Sequence, residues 1–209
     1  MDSQQYLNQI SEMSRPAPKS KGKGISGLLS SKFFLVGAIG VVLLIVIIII
    51  GSILGSNKSD NKTLCYDLKL HLDNTAEVIN EYQQYVKSSE LRSSSASLLG
   101  VLTNTSRDLT TYLEDKYNFK DKDISKTMVE QADLVKDDFL NELFEAKING
   151  ILDRIYAHKM AYEISLLTAE ESQLYNSSKD ESLSNLLNTS YESLNNLYDK
   201  FNDFSETKN

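Results

Sequence analysis

The 209-residue chain has no tryptophan, one cysteine, two prolines and nine glycines. A single cysteine excludes an internal disulfide framework. So little glycine and proline excludes collagen-like and mucin-like chains. Hydrophobic residues make up 41%, too few for a polytopic membrane protein. The scarcities are also uneven. Pro16 and Pro18 are followed by 191 residues without proline. Seven glycines lie at or before Gly55, and only Gly100 and Gly150 lie beyond it.

Charge is missing from one stretch altogether. Residues 33–54, FFLVGAIGVVLLIVIIIIGSIL, carry none. Before them stand Arg15, Lys19, Lys21, Lys23 and Lys32 against Asp2 and Glu12, a net of +3; after them the net is −10. Three compositions predict three segments. Residues 1–32 are a basic, core-less tail whose default state is disorder. The 22 uncharged residues reach about 33 Å as a helix, enough for a hydrocarbon core of ~30 Å. The run is too long for the apolar core of a cleaved signal peptide and ends without a clean small-residue cleavage site, so it reads as a signal anchor. Cys65 follows Thr63-Leu64 and lies too far past the run to be a lipoprotein acceptor. The basic residues on its N-terminal side, against Lys58 and Lys62 beyond it, place the N-terminus in the cytoplasm. The chain is thus expected in the cell membrane as a single-pass protein. Residues 55–61 form a short linker and 62–209 an extracytoplasmic domain.

That domain lacks the punctuation of strands and turns, and helical spacing replaces it. Leu183, Leu187, Ser190, Leu194, Leu197, Phe201 and Phe204 alternate steps of four and three residues, predicting a helix over 179–205. Ser178 and Glu181 have capping-box spacing. A second stripe, Leu64, Leu68, Leu72, Thr75, Ile79, Tyr82 and Val86, predicts a helix over 61–87. A third, Leu91, Leu98, Leu102, Leu109, Tyr112 and Leu113, predicts one over 89–118. Lys120-Asp121-Lys122-Asp123 marks a loop, with Asp123 as the next cap. Between 124 and 175 no polar cluster interrupts the pattern. A turn at Asn149-Gly150, with Gly150 left-handed and Ile151 folded back, would divide it into two helices, the second capped by Asp153. One unbroken helix is the alternative. The fold class is all-α: a transmembrane helix followed by an antiparallel bundle of four or five helices, related to a coiled coil in its heptad-like spacing.

Catalytic and metal chemistry find no footing in this sequence. Di-iron bundles use Glu-x-x-His, but Leu68 and Ile155 stand three residues before His71 and His158. Both histidines read as surface or boundary residues. Asp138, Glu142 and Glu145 share a helical face, with Asp137 and Glu130 nearby, and read as a solvated face. The loop from Asp121 imitates a calcium loop, yet Lys126 and Ala132 stand where glycine and glutamate are needed. No nucleophile elbow, phosphate loop or dinucleotide fingerprint occurs. No cofactor is expected, and the acidic outer segment argues against nucleic acid.

Cys65 is the one candidate site residue. It is expected either as a small core residue or as half of an intermolecular disulfide. Asn-x-Ser/Thr sequons at Asn57, Asn61, Asn104, Asn176 and Asn188 are what a chain rich in Asn and Ser produces by chance. The leading functional expectation is a non-enzymatic interaction or scaffold module, partnered by the bilayer and by another protein or a second copy of itself. The alternative is a ligand-binding sensor ectodomain that signals through a partner, because a 32-residue tail holds no output domain.

Overall fold

The structure is a computed structural model that describes residues 60–207, with side chains through Phe204. The expected tail, the expected span over 33–54 and most of the expected linker lie outside the described residues. Among the described residues no helix is long and apolar enough to cross a membrane.

Five helices and no strands make up the described region. They are α1 (Asn61–Tyr82), α2 (Ser89–Tyr117), α3 (Lys126–Ile148), α4 (Leu152–Ser177) and α5 (Glu181–Thr207). A 3-10 turn, Gln83–Tyr85, extends α1, and another, Asp121–Asp123, precedes α3. The proline-free stripes account for the helices. All seven residues of the α5 stripe are buried, as are Leu68, Leu72, Thr75, Ile79, Tyr82 and Val86 from the first. Leu91, Leu98, Leu102, Leu109 and Leu113 complete the core from α2. Each fully buried leucine contributes about 1.5–3 kcal/mol.

The long stretch is divided at Gly150. Its φ is +72°, Ile151 N–H donates to Ala146 O at 3.0 Å, and Gly150 N–H donates to Lys147 O at 3.2 Å. These are the two bonds of a Schellman turn, which satisfies carbonyls that the end of α3 would otherwise leave open.

The caps differ from the sequence expectation in three places. Ser125, not Asp123, caps α3 by accepting from Met128 N–H at 3.2 Å; Asp123 instead accepts from Lys120 N–H at 2.9 Å and closes the 3-10 turn. Asp180, not Ser178, caps α5 through Ser182 and Leu183 N–H. Asp153 leaves its own helix uncapped. Its two carboxylate oxygens accept from Lys87 N–H at 2.9 Å and Ser88 N–H at 2.8 Å, so it closes the turn between α1 and α2. Two charge-assisted bonds from backbone N–H groups hold the carboxylate there.

Bonds between distant helices fix the directions. Asn61 at the start of α1 donates to Ser177 O at the end of α4. Lys116 at the end of α2 pairs with Asp180 before α5 at 2.8 Å. Asp153 joins the start of α4 to the α1–α2 turn. Each helix therefore reverses the one before it. Helices α1, α2, α5 and α4 pack in that order into a closed four-membered ring, α4 also touching α1. The fifth helix, α3, lies outside the ring against α1 and α4. It runs parallel to α1, with Asn74 bonded to Ala132 O, Glu77 to Lys136 and Tyr82 to Leu140 O in step.

Candidate functional site

Helix α3 is the least buried of the five α-helices. It contributes Phe139, Leu143 and Ala146 to the core, while Leu134, Val135, Phe144 and Ile148 are 66%, 67%, 51% and 63% exposed. Polar contacts do much of the holding. Asn74 Nδ2 donates to Ala132 O at 3.0 Å, Tyr82 Oη to Leu140 O at 3.2 Å, and Lys136 pairs with Glu77 at 2.8 Å. Lys159 of α4 pairs with Glu142, and Lys147 sits 3.2 Å over the Tyr85 ring. The basic residues of α3 are largely engaged in this way. Asp137, Asp138 and Glu145 are exposed and make no ion pair among the described residues. The exposed side of α3 thus interleaves apolar residues with unneutralised acidic ones. Beside it, at the α3–α4 turn, lies a shallow depression of about 390 Å³ lined by Ala146, Ile151 and Ile155 among others.

A second set of polar groups lies along α4, from the α1–α4 boundary into the core. His71 of α1 donates through Nε2 to Glu163 Oε2 at 2.8 Å, and its Nδ1 meets both Glu170 oxygens at 3.0 Å. Both ring nitrogens facing carboxylates make this an imidazolium. Burial opposes that charge, but the Glu170 charge and the bonds to Glu163 and Glu170 outweigh it, and the group is pushed up to about 10. One residue along, Glu171 is 1% exposed, and neither carboxyl oxygen has a hydrogen-bond partner. The Ser190 hydroxyl nearby is paired with Thr105 Oγ1 at 2.9 Å. Burial pushes the Glu171 carboxyl up to about 8; Ser190 partly opposes the shift and the Glu170 charge adds to it.

The candidates from the sequence fall in different places. Cys65 is a free thiol with no exposed surface, and burial pushes it up to about 12. It packs in the core beside Tyr66 and Leu68; a disulfide to a second chain would have to draw it out of that core. His158 is exposed. His71 is at the core boundary, but as the centre of an ion clamp that its spacing did not announce. Glu130, Asp137, Asp138, Glu142 and Glu145 are all exposed on α3, with Glu142 turned toward Lys159 of α4. Asn104, Asn176 and Asn188 are exposed on helices, and Asn61 begins α1. Among the described residues no group of three His, Cys, Asp or Glu side chains has the geometry to hold a metal ion.

The residues that the sequence reading passed over are Glu163, Glu170 and Glu171. A signal was present. The buried stripe of α4 runs Tyr156, Met160, Ile164, Leu167 and Leu174, and Glu163 and Glu171 sit within it. A glutamate at a core position of an otherwise apolar stripe is costly unless something pairs with it. Comparison of the chain with family models, with curated proteins and with solved structures finds no match.

Proposed function

We propose that the chain is a single-pass membrane protein that presents a non-enzymatic interaction module, and that the outer side of α3 is its contact surface. The uncharged run over 33–54 would be the anchor, with the basic tail in the cytoplasm and the antiparallel bundle outside the membrane. The observation that carries the reading is the exposure of Leu134, Val135, Phe144 and Ile148 on a helix already packed on its other side. Exposed apolar groups of this size gain from being covered. Asp137, Asp138 and Glu145, interleaved with these apolar residues, give the partner a chemistry: a protein surface that mixes apolar and basic side chains. Opposite charge at the rim raises association rate more than affinity, so the contact would be salt-sensitive in its on-rate.

The test is photo-crosslinking in intact cells from a benzophenone amino acid placed at Leu134, Phe144 or, as a control on α2, Glu114. Adducts of one size from the α3 positions, absent at Glu114, support the surface. No adduct from α3, or the same adducts from Glu114, would overturn it. Tags at the two ends, tested for protease access, check the anchor separately: a protected C-terminus removes the topology.

A further inference from the structure

We propose that the groove between α2 and α5 binds a linear alkyl polyamine, with ammonium groups at Asp108 and Asp115 and the methylene chain over Tyr112 and Leu186. All four residues line the groove, which measures about 760 Å³. Two contacts fix the register of its antiparallel walls. Thr105 Oγ1 meets Ser190 Oγ at 2.9 Å, and about three turns along α2 Lys116 pairs with Asp180 at 2.8 Å. That register sets Leu186 of α5 level with the stretch of α2 between Asp108 and Asp115. The two aspartates are seven residues apart, two turns and about 10.5 Å along the helix axis.

Charge, hydrogen bonding and apolar surface point to the same ligand. Asp115 is exposed and makes no ion pair among the described residues. Asp108 meets its neighbour Arg107 through Oδ1 alone, at 2.9 Å, in a pair exposed enough to contribute under about 1 kcal/mol. Lys116, the one basic residue in the described lining, is held by Asp180. The wall hydroxyls have spent their protons on their own helices. Thr111 donates to Arg107 O at 3.2 Å, Thr189 to Asn185 O at 2.9 Å and Ser193 to Thr189 O at 2.9 Å. What they offer an incoming molecule is lone pairs. The groove is thus rich in acceptors and negative in charge, which suits N–H donors and disfavours phosphates and carboxylates. Tyr112 and Leu186, both half-buried, supply apolar surface between the two carboxylates for a methylene spacer to cover. A metal ion holds its oxygens within about 2.6 Å, so aspartates two turns apart cannot share one. The groove involves no part of α3 and stands or falls without the contact surface there.

The probes are two diamines of equal charge, diaminooctane and diaminobutane, each with an amine at both ends. They are titrated at neutral pH and low ionic strength into the full chain in nonionic detergent micelles, with the Tyr112 ring resonances as the readout. Extended diaminooctane spans both carboxylates, whereas diaminobutane reaches one at a time. Diaminooctane should therefore bind at least about fivefold more tightly. Asp108→Asn and Asp115→Asn should each weaken it about three- to fivefold and shrink the difference between the two diamines. Glu90→Gln removes the same charge from the same helix outside the groove and should leave both affinities unchanged. All three side chains are exposed, so the variants keep the fold. Equal affinity for the two diamines overturns the proposal, as does the absence of binding by either. An equal loss in Glu90→Gln also overturns it, because the binding would then be only the acidic domain's general attraction for cations.

Discussion

His71 Nε2 and Glu163 Oε2 meet at 2.8 Å across the α1–α4 contact, 92 residues apart in the chain. The glutamate side chain is 11% exposed and the imidazole 19%. The pair closes the ring of helices where α1 and α4 touch, and its energy depends on both partners being present. Removing the imidazole leaves a carboxylate with almost no water around it. His71→Leu should therefore cost about 2–4 kcal/mol in urea unfolding, while the double variant His71→Leu with Glu163→Leu should recover most of it. A double variant no more stable than the single one would show that the clamp is not what the loss measures.

The same clamp sets a pH dependence. The folded-state value of about 10 lies above the ordinary histidine value of 6.5. Its stabilisation is complete below pH 6.5 and is lost as pH rises through about 10. Melting temperature should fall across that window in the wild type, and fall less in His71→Gln. The imidazole Cε1–H resonance should titrate near the upper end of the window.

Glu171 works in the opposite sense for stability at neutral pH. Its carboxyl is pushed from 4.5 to about 8 by burial, so the unfolded chain ionises first. Stability is unaffected below pH 4.5 and declines as pH rises to about 8. Glu171→Gln should be neutral at pH 4.5 and stabilising at pH 8, by up to about 4 kcal/mol. Equal melting-temperature changes at the two pH values would contradict the assignment.

The two glycines of the bundle should respond oppositely to alanine. A Cβ at either one meets nothing within 4 Å, so packing does not decide the outcome. Gly100 lies in the interior of α2, where alanine should stabilise by about 0.5–1 kcal/mol. Gly150 has φ +72°, which alanine adopts only with strain, and Gly150→Ala should destabilise by about 1 kcal/mol. Equilibrium denaturation of the two variants, side by side, reads the difference.

Cys65 should react slowly with a thiol reagent in the native protein and quickly in urea, because its thiol has no exposed surface and is pushed up to about 12. Fast native labelling would mean that the start of α1 opens readily enough for an interchain disulfide.

The helices were legible because their signals are local. The stripe from Leu183 to Phe204 needs nothing beyond its own spacing, and the Schellman turn needs only Gly150 followed by Ile151. The caps were less legible, because their donors come from elsewhere. Asp153 stands one residue inside α4, where it looks like a cap, yet its partners Lys87 and Ser88 lie more than 60 residues upstream. The His71 clamp is hidden for the same reason, since only the ring brings α1 against α4. Glu171 was visible as a glutamate on an apolar stripe; what the sequence does not display is that nothing pairs with it. The exposure of α3 was hidden too, because its residues alternate apolar and acidic all round and no single face declares itself.

The placement of α3 outside a ring that closes without it gives the domain two levels of cohesion. The ring helices share one core, whose opening is expected to coincide with unfolding of the whole domain. Helix α3 is held to α1 and α4 by a few polar bonds and by Phe139, Leu143 and Ala146, so its release should cost less than opening the ring. Amide exchange in α3 should follow this smaller opening, and the α1, α2, α4 and α5 interiors the global one. A partner that covers α3 would then act as a clasp, raising the slowest protection in α3 toward that of the ring.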